Sequence, residues 1–333
     1  MADAHLGTCD IHGHYLPPAA MDLMTTGPVV VGGGRGNESI DVNGVIVGAT
    51  IRQLSAVDEM IAAMDEAGLA HRVLTSPPFT YRYWADPNDS LRLCRLINDE
   101  IASVVAEHPD RLSGLATVPM QDPATAVAEL ERGMGELGLL GLGVGTNVGG
   151  KLLSDSSLRA VFARAVELNA PVLVHPDFVP SPRYPDYYLI NLIGMPVETG
   201  TTVANMMMTG MLEQLPTLRV CFLHGGGIAP YLMGRWSRSW HLRPDTSRDS
   251  SRAPEDQLDS IYWDTLTHSV GALEFLISAV GADHVVLGTD APFDVEDADP
   301  VGHLAAVPGL SDDDMHRIRS VTPRRWLFGN ETR

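Results

Sequence analysis

The chain has 333 residues, 44% of them hydrophobic, and a formal net charge of −19. That acidic balance argues against a nucleic-acid or anionic-membrane partner, because phosphates need a basic counter-surface. Three scattered cysteines, Cys9, Cys94 and Cys221, make no disulfide framework. With no signal-peptide pattern and no apolar run of the ~18 residues a spanning helix needs, the expectation is a cytoplasmic protein.

The first predicted strand covers residues 8–16 and runs into Pro17-Pro18. Within it, Asp10-Ile11-His12-Gly13-His14 puts two imidazoles on one face, since strand side chains alternate. Their Cα atoms would lie roughly 6.5–7 Å apart, close enough for both rings to reach one ion. Residues 17–54 read as an inserted segment with a short β-hairpin. Its glycines, Gly32, Gly33 and Gly34, close on no helix and are not a phosphate loop.

From residue 55 strands and helices alternate. A helix over 55–68 leads to a strand at 71–76, and a helix over 88–108 to a strand at 112–119. Next come a helix at 123–137, a glycine-laced strand at 140–148, a helix at 156–168 and an aliphatic strand at 171–175. A helix at 191–215, a strand at 219–224 and a helix at 229–240 follow. The series closes with a strand at 260–267, a helix at 270–280, a strand at 284–288, and helices near 299–306, 311–319 and 323–328. Eight strand–helix units with near-continuous apolar strands predict an α/β fold, a (β/α)8 TIM barrel with a small β insertion after its first strand. No linker divides the chain, so residues 1–333 are expected to form one domain. The proline- and tyrosine-rich stretch 178–190 and the polar stretch 243–259 are candidate lids or dimer contacts.

The metal idea is tested by where the other histidines and acids fall. His175 ends the fifth strand, His224 the sixth, and Asp290 follows the eighth. A lone histidine at a strand end is commonly a satisfied core residue. Five such groups at the C-terminal ends of barrel strands would instead converge on one cavity. Three imidazoles and a carboxylate from His12, His14, His175 and Asp290 suit zinc or a similar divalent ion, with manganese as the alternative. His224 is then free to act as acid/base on water held by the ion or on substrate. The three glycines after it would allow close approach. The fourth strand's end offers no Lys or Glu to bridge a second ion. Asp264 stands either at the cavity or behind a ligand histidine as its hydrogen-bond partner. His241, His268 and His303 stay ambiguous; His5, His71, His108, His284 and His316 are expected to be structural or exposed.

With these residues in place the chain resembles the amidohydrolase superfamily, in the branch around 2-amino-3-carboxymuconate-6-semialdehyde decarboxylase. The likeness rests on Asp-Ile-His-Gly-His at 10–14, Tyr83-Trp84-Ala85, Val118-Pro119-Met120-Gln121 and His175-Pro176. It continues through Gly194-Met195-Pro196-Val197-Glu198-Thr199, Cys221 to Gly227, and Leu287-Gly288-Thr289-Asp290-Ala291-Pro292-Phe293. The resemblance implies a zinc-dependent, non-oxidative decarboxylase working as a homodimer, with the ligands and the role of His224 assigned above. It implies that Arg235 reaches a substrate carboxylate across the dimer, helped by Arg243 at the interface, and that the motif residues Trp84 and Phe293 line the substrate. The second carboxylate clamp of the family falls here on Gly48, with Arg52 nearby but out of register. A small unsaturated or aromatic acid with fewer carboxylates is therefore the expected substrate. A hydrolase or hydratase acting on a small carbonyl or unsaturated acid through the same ligands is the alternative.

Overall fold

The computed structural model describes residues 7–24, 29–32, 39–42, 45–179 and 181–329. Eight parallel strand segments form its centre. We label them β1 (Cys9–His14), β2 (His71–Thr75), β3 (Leu112–Gly114, continued by Ala116–Thr117), β4 (Leu142–Gly145), β5 (Val172–His175), β6 (Val220–Phe222), β7 (Ile261–Asp264) and β8 (Val285–Val286). Each pairs in parallel with the next in the chain, from β1–β2 through to β7–β8. The chain leaving β8 then returns to β1: Ile11 N donates to Leu287 O at 2.9 Å and Asp290 N to His12 O at 2.8 Å. This mixed α/β arrangement gathers the ends of strands far apart in sequence.

The strands are buried on both faces, and Val172, Val174, Val220, Phe222 and Ile261 are fully inaccessible. Their β-branched and aromatic content suits a pleated, covered surface. The helices follow their sequence signals. Pro87–Glu107 opens on a proline behind Asp86, whose side chain accepts from Asn88 N. Val270–Val280 is capped by Ser269 and stopped by Gly281 at φ +82°. Among the described residues, no helix is long and apolar enough to cross a membrane.

Several elements differ from their sequence signatures. The predicted helix at 55–68 is Val57–Glu66, preceded by a separate turn of helix, Ile51–Ser55, with a Thr50/Gln53 capping box. The predicted strand at 140–148 ends at Gly145; Asn147–Val148 folds back on Lys151–Leu152 through Gly149 and Gly150, both at positive φ. The predicted helix at 191–215 starts with a π turn, Ile190–Gly194, and breaks at Gly210, whose φ is +68°. Between β1 and β2, Val29–Gly32, Ser39–Val42 and Val45–Thr50 pair antiparallel. Gly33 and Gly34 of the predicted hairpin, His5, and Pro180 of the stretch 178–190 lie outside the described residues.

Candidate metal centre

The site grows out of β1. His12 and His14 point to one side, and Gly13 between them leaves room for a buried arginine. A Cβ on Gly13 would stand 2.4 Å from Cδ of Arg72. Arg72 Nε donates to Asp10 Oδ2 at 2.7 Å. That oxygen also accepts from Thr289 Oγ1 at 2.7 Å, while Oδ1 accepts from Thr289 N at 3.1 Å and from His12 N at 2.9 Å. Asp10 thus fastens the histidine-bearing strand to the turn that carries Asp290. Asp290 has φ +64° and His224 φ +56°, left-handed conformations that non-glycine residues seldom adopt. Such strain collects at functional sites.

All five groups singled out in the sequence meet here. Asp290 Oδ1 lies 2.9 Å from His14 Nε2, 3.1 Å from His12 Nε2 and 3.9 Å from His175 Nε2. Asp290 Oδ2 lies 3.2 Å from His224 Nε2. The outer nitrogens of two rings are spoken for. His12 Nδ1–H donates to Asp264 Oδ2 at 2.8 Å, and His175 Nδ1–H donates to Pro176 O at 2.7 Å. The other oxygen of Asp264 accepts from Gly225 N at 2.7 Å. These partners fix each tautomer so that Nε2 turns its lone pair inward.

This donor set fits a divalent cation. His12 Nε2 and His175 Nε2 are buried without a hydrogen-bond partner. His12, His175, His224 and Asp290 offer ligand atoms that all lie within 4.8 Å of one another. Inward lone pairs facing a carboxylate need positive charge between them, and nitrogen with carboxylate oxygen suits a borderline divalent ion. The electrostatics agree. Burial opposes ionisation of Asp290, yet the surrounding imidazoles hold it well below the usual carboxylate range. Burial lowers His14, and brings His175 down to about 3. Burial would lower His12 too, but Asp290 and Asp264 outweigh it and push it up to about 10. A proton on His12 and a bound cation therefore compete for the same negative charge.

Beside the cluster lies a cavity walled by Val47, Phe79, Phe178, Tyr188, Met195 and Phe293. It widens to a mouth of about 920 Å³ bordered by Leu192, Tyr231, His268, Phe275, Asp294 and Glu296. Phe293 packs its ring 5.0 Å from that of His14. Trp84 is 53% exposed beneath the guanidinium of Arg82 and does not line the cavity. Arg235 is exposed on the helix Ala229–Leu242, and Arg243 is exposed and paired with Asp245 at 2.9 Å. Neither arginine lines the cavity of its own chain. Two contributors were less legible in the sequence. Asp10 stood inside the first motif but carried no assigned role, and Tyr188 belonged only to a stretch of irregular composition.

The family model described as "Amidohydrolase" matches residues 9–329. A 2-amino-3-carboxymuconate-6-semialdehyde decarboxylase of Dictyostelium discoideum is 38% identical over 275 residues, covering 82% of this chain and 74% of that protein. Among solved structures, a 5-carboxyvanillate decarboxylase from Sphingomonas paucimobilis superposes with a TM-score of 0.83 at 24% identity, covering 97% of this chain and 99% of that one. A 5-carboxyvanillate decarboxylase from Novosphingobium aromaticivorans, solved with bound manganese, gives a TM-score of 0.76 at 24% identity, covering 83% of this chain and 82% of that one. The two structural likenesses speak to the fold.

Proposed function

The chain belongs to the amidohydrolase family, and on that premise we propose that it is a metal-dependent carboxy-lyase that releases CO₂ from a small unsaturated or aromatic carboxylic acid. What supports this above all is the inward convergence of the His12, His14 and His175 Nε2 atoms on one oxygen of Asp290, with His224 on the other. In this reading His12, His14, His175 and Asp290 hold one divalent cation, zinc by preference with manganese an alternative. The ion supplies Lewis acidity to substrate oxygen and lowers the pKa of water. His224, half-buried at the cavity wall, carries the proton to the carbon that loses its carboxylate: the C–C bond breaks, its electron pair takes that proton, and CO₂ departs. Phe293, Phe79 and Phe178 keep water from the reacting carbon.

The eight parallel segments are read as a (β/α)8 barrel, residues 17–54 as an insertion after its first strand, and residues 1–333 as one domain. A homodimer in the cytoplasm completes the proposal, with Arg235 serving the partner's cavity and Arg243 at the interface. The exposed side chains Leu192, Tyr231 and Phe275 at the mouth, and three buried free cysteines, support these two points. The test is release of CO₂ by metal-loaded protein across aromatic and unsaturated carboxylic acids. Release from at least one acid, abolished by a chelator and restored by a divalent ion, is expected. Addition of water or hydrolysis without gas overturns the reading.

A further inference from the structure

Two polar side chains on the inner wall of the cavity serve neither the cation nor the proton of the carboxy-lyase reading. That wall carries five polar side chains, His175, His224, Asp290, Tyr188 and Asn191. The first three have their roles. The other lining side chains are hydrocarbon, apart from the thioether of Met195. The hydroxyl of Tyr188 makes no hydrogen bond among the described residues. Asn191 Nδ2 lies 3.4 Å from the sulfur of Met195, a weak acceptor, and its Oδ1 accepts from nothing among the described residues. Burial first, then the charges of Asp294 and Asp290, push the Tyr188 phenol up to about 12, so it keeps its proton and donates.

The backbone leaves regular geometry to bring this pair to the wall. Tyr187 and Tyr188 follow one another at φ +57° and +58°, in the left-handed region that bulky side chains avoid. The double turn sends Tyr187 into solvent, 87% exposed, and Tyr188, half-buried, onto the cavity. The π turn Ile190–Gly194 follows at once, and Asn191 N and Leu192 N both donate to Tyr188 O, at 2.9 and 3.0 Å. Asn191 thereby lines the same cavity as Tyr188. Left-handed residues and π turns are locally unfavourable, and they collect where a side chain has to be aimed at a ligand.

We infer that Tyr188 and Asn191 are specificity-determining residues that read a hydroxyl group on the ring of a small aromatic acid. The phenol donates to the hydroxyl oxygen, and Asn191 Oδ1 accepts its hydrogen. The inference rests on the carboxy-lyase reading for the class of acid, but binding alone decides it. A hydroxyl both accepts and donates, which uses both members of the pair; a methoxy group can use only the phenol, and a bare ring position neither. A wall built to hydrogen-bond a hydroxyl discriminates against the analogue lacking it, because its own polar groups are then left unpaired. Arg235, which the proposed dimer brings to the mouth, has a different task. A guanidinium neutralises a carboxylate, whereas a phenol and a carboxamide tell a neutral hydroxyl from hydrocarbon.

The experiment uses the full-length, metal-loaded protein with benzoate and its 3- and 4-hydroxy and 3- and 4-methoxy derivatives. In these the ring oxygen stands too far from the carboxylate to share one cation with it. Affinity is measured by calorimetry, with CO₂ release and metal content in parallel. One hydroxy acid is expected to bind about tenfold more tightly than benzoate, and its methoxy counterpart more weakly than that hydroxy acid. Tyr188→Phe, which keeps the ring, should remove about three- to tenfold of this preference and leave benzoate affinity and metal content unchanged. Asn191→Leu should do the same. A loss shared equally by benzoate marks a merely structural role and overturns the inference. Equal binding of hydroxy and unsubstituted acids, variants that keep the wild-type preference, or absence of binding by every probe overturns it too. The expected pattern without CO₂ release from any acid tested would leave it standing and remove the carboxy-lyase reading instead. Release of CO₂ with a preference indifferent to both substitutions would do the reverse.

Discussion

Histidines occupy the starts of some of the parallel strands and the ends of others, and the two sets are built differently. At the starts, His71 Nε2 bonds Ser113 Oγ at 2.7 Å, and His284 Nδ1 bonds Ile261 O at 3.1 Å. Those contacts tie neighbouring strands together. At the opposite ends, His12 and His175 each satisfy Nδ1 and leave Nε2 buried and bare. The residue type is shared; the accounting of ring nitrogens is not. A buried polar atom without a partner costs free energy, so a cluster of them points to something that must be held.

The sharpest way to break this contrast is to remove one group from each end. His175→Ala or Asp290→Ala should empty the site of metal and reduce turnover by roughly 10³-fold or more. His284→Ala should leave metal content unchanged; elemental analysis of the purified proteins decides. His224→Gln sharpens the comparison within the site. Metal should remain bound while turnover falls roughly 10²–10⁴-fold, and unchanged turnover would remove its proton-carrying role. Next in size is Asp264→Asn, which disturbs the partner that orients His12. Titration of metal-stripped protein should show affinity weakened about 10–100-fold.

The smallest effect concerns the strand starts. Burial holds His71 below its ordinary value of 6.5. The unfolded chain therefore takes up that proton first as pH falls. The contribution of His71 to stability is complete above about 6.5 and is lost progressively below it. Urea midpoints measured between pH 7.5 and 5 should decline, and His71→Asn should flatten that decline.

Much of the site was visible in the sequence because strand ends are local signals. His12-Gly13-His14, His175-Pro176 and His224-Gly225-Gly226 each close an apolar run, and all meet at Asp290. The hairpin at 147–152 also had a signal, Gly149-Gly150, masked by the aliphatic stretch before it. What stayed hidden depends on partners distant in the chain. Whether Asp264 faces the cavity or backs a histidine is decided by His12, 252 positions away. Arg52 turns outward onto Glu59, and Gly48 packs against Asp294, which lies far along the chain; neither periodicity nor composition encodes these contacts.

The clasp made by Asp10 has a consequence for biosynthesis. Its two strongest obligations are to Arg72 and to Thr289, and the second lies 279 positions further along. During translation His12 and His14 leave the ribosome well before the loop holding Asp290, whose clasping Thr289 follows Asp10 by 279 positions. The centre cannot assemble until that loop has emerged, so ion capture follows the meeting of these distant segments. A polypeptide released before residue 289 would carry most of the donors and lack the means to bring them to one point.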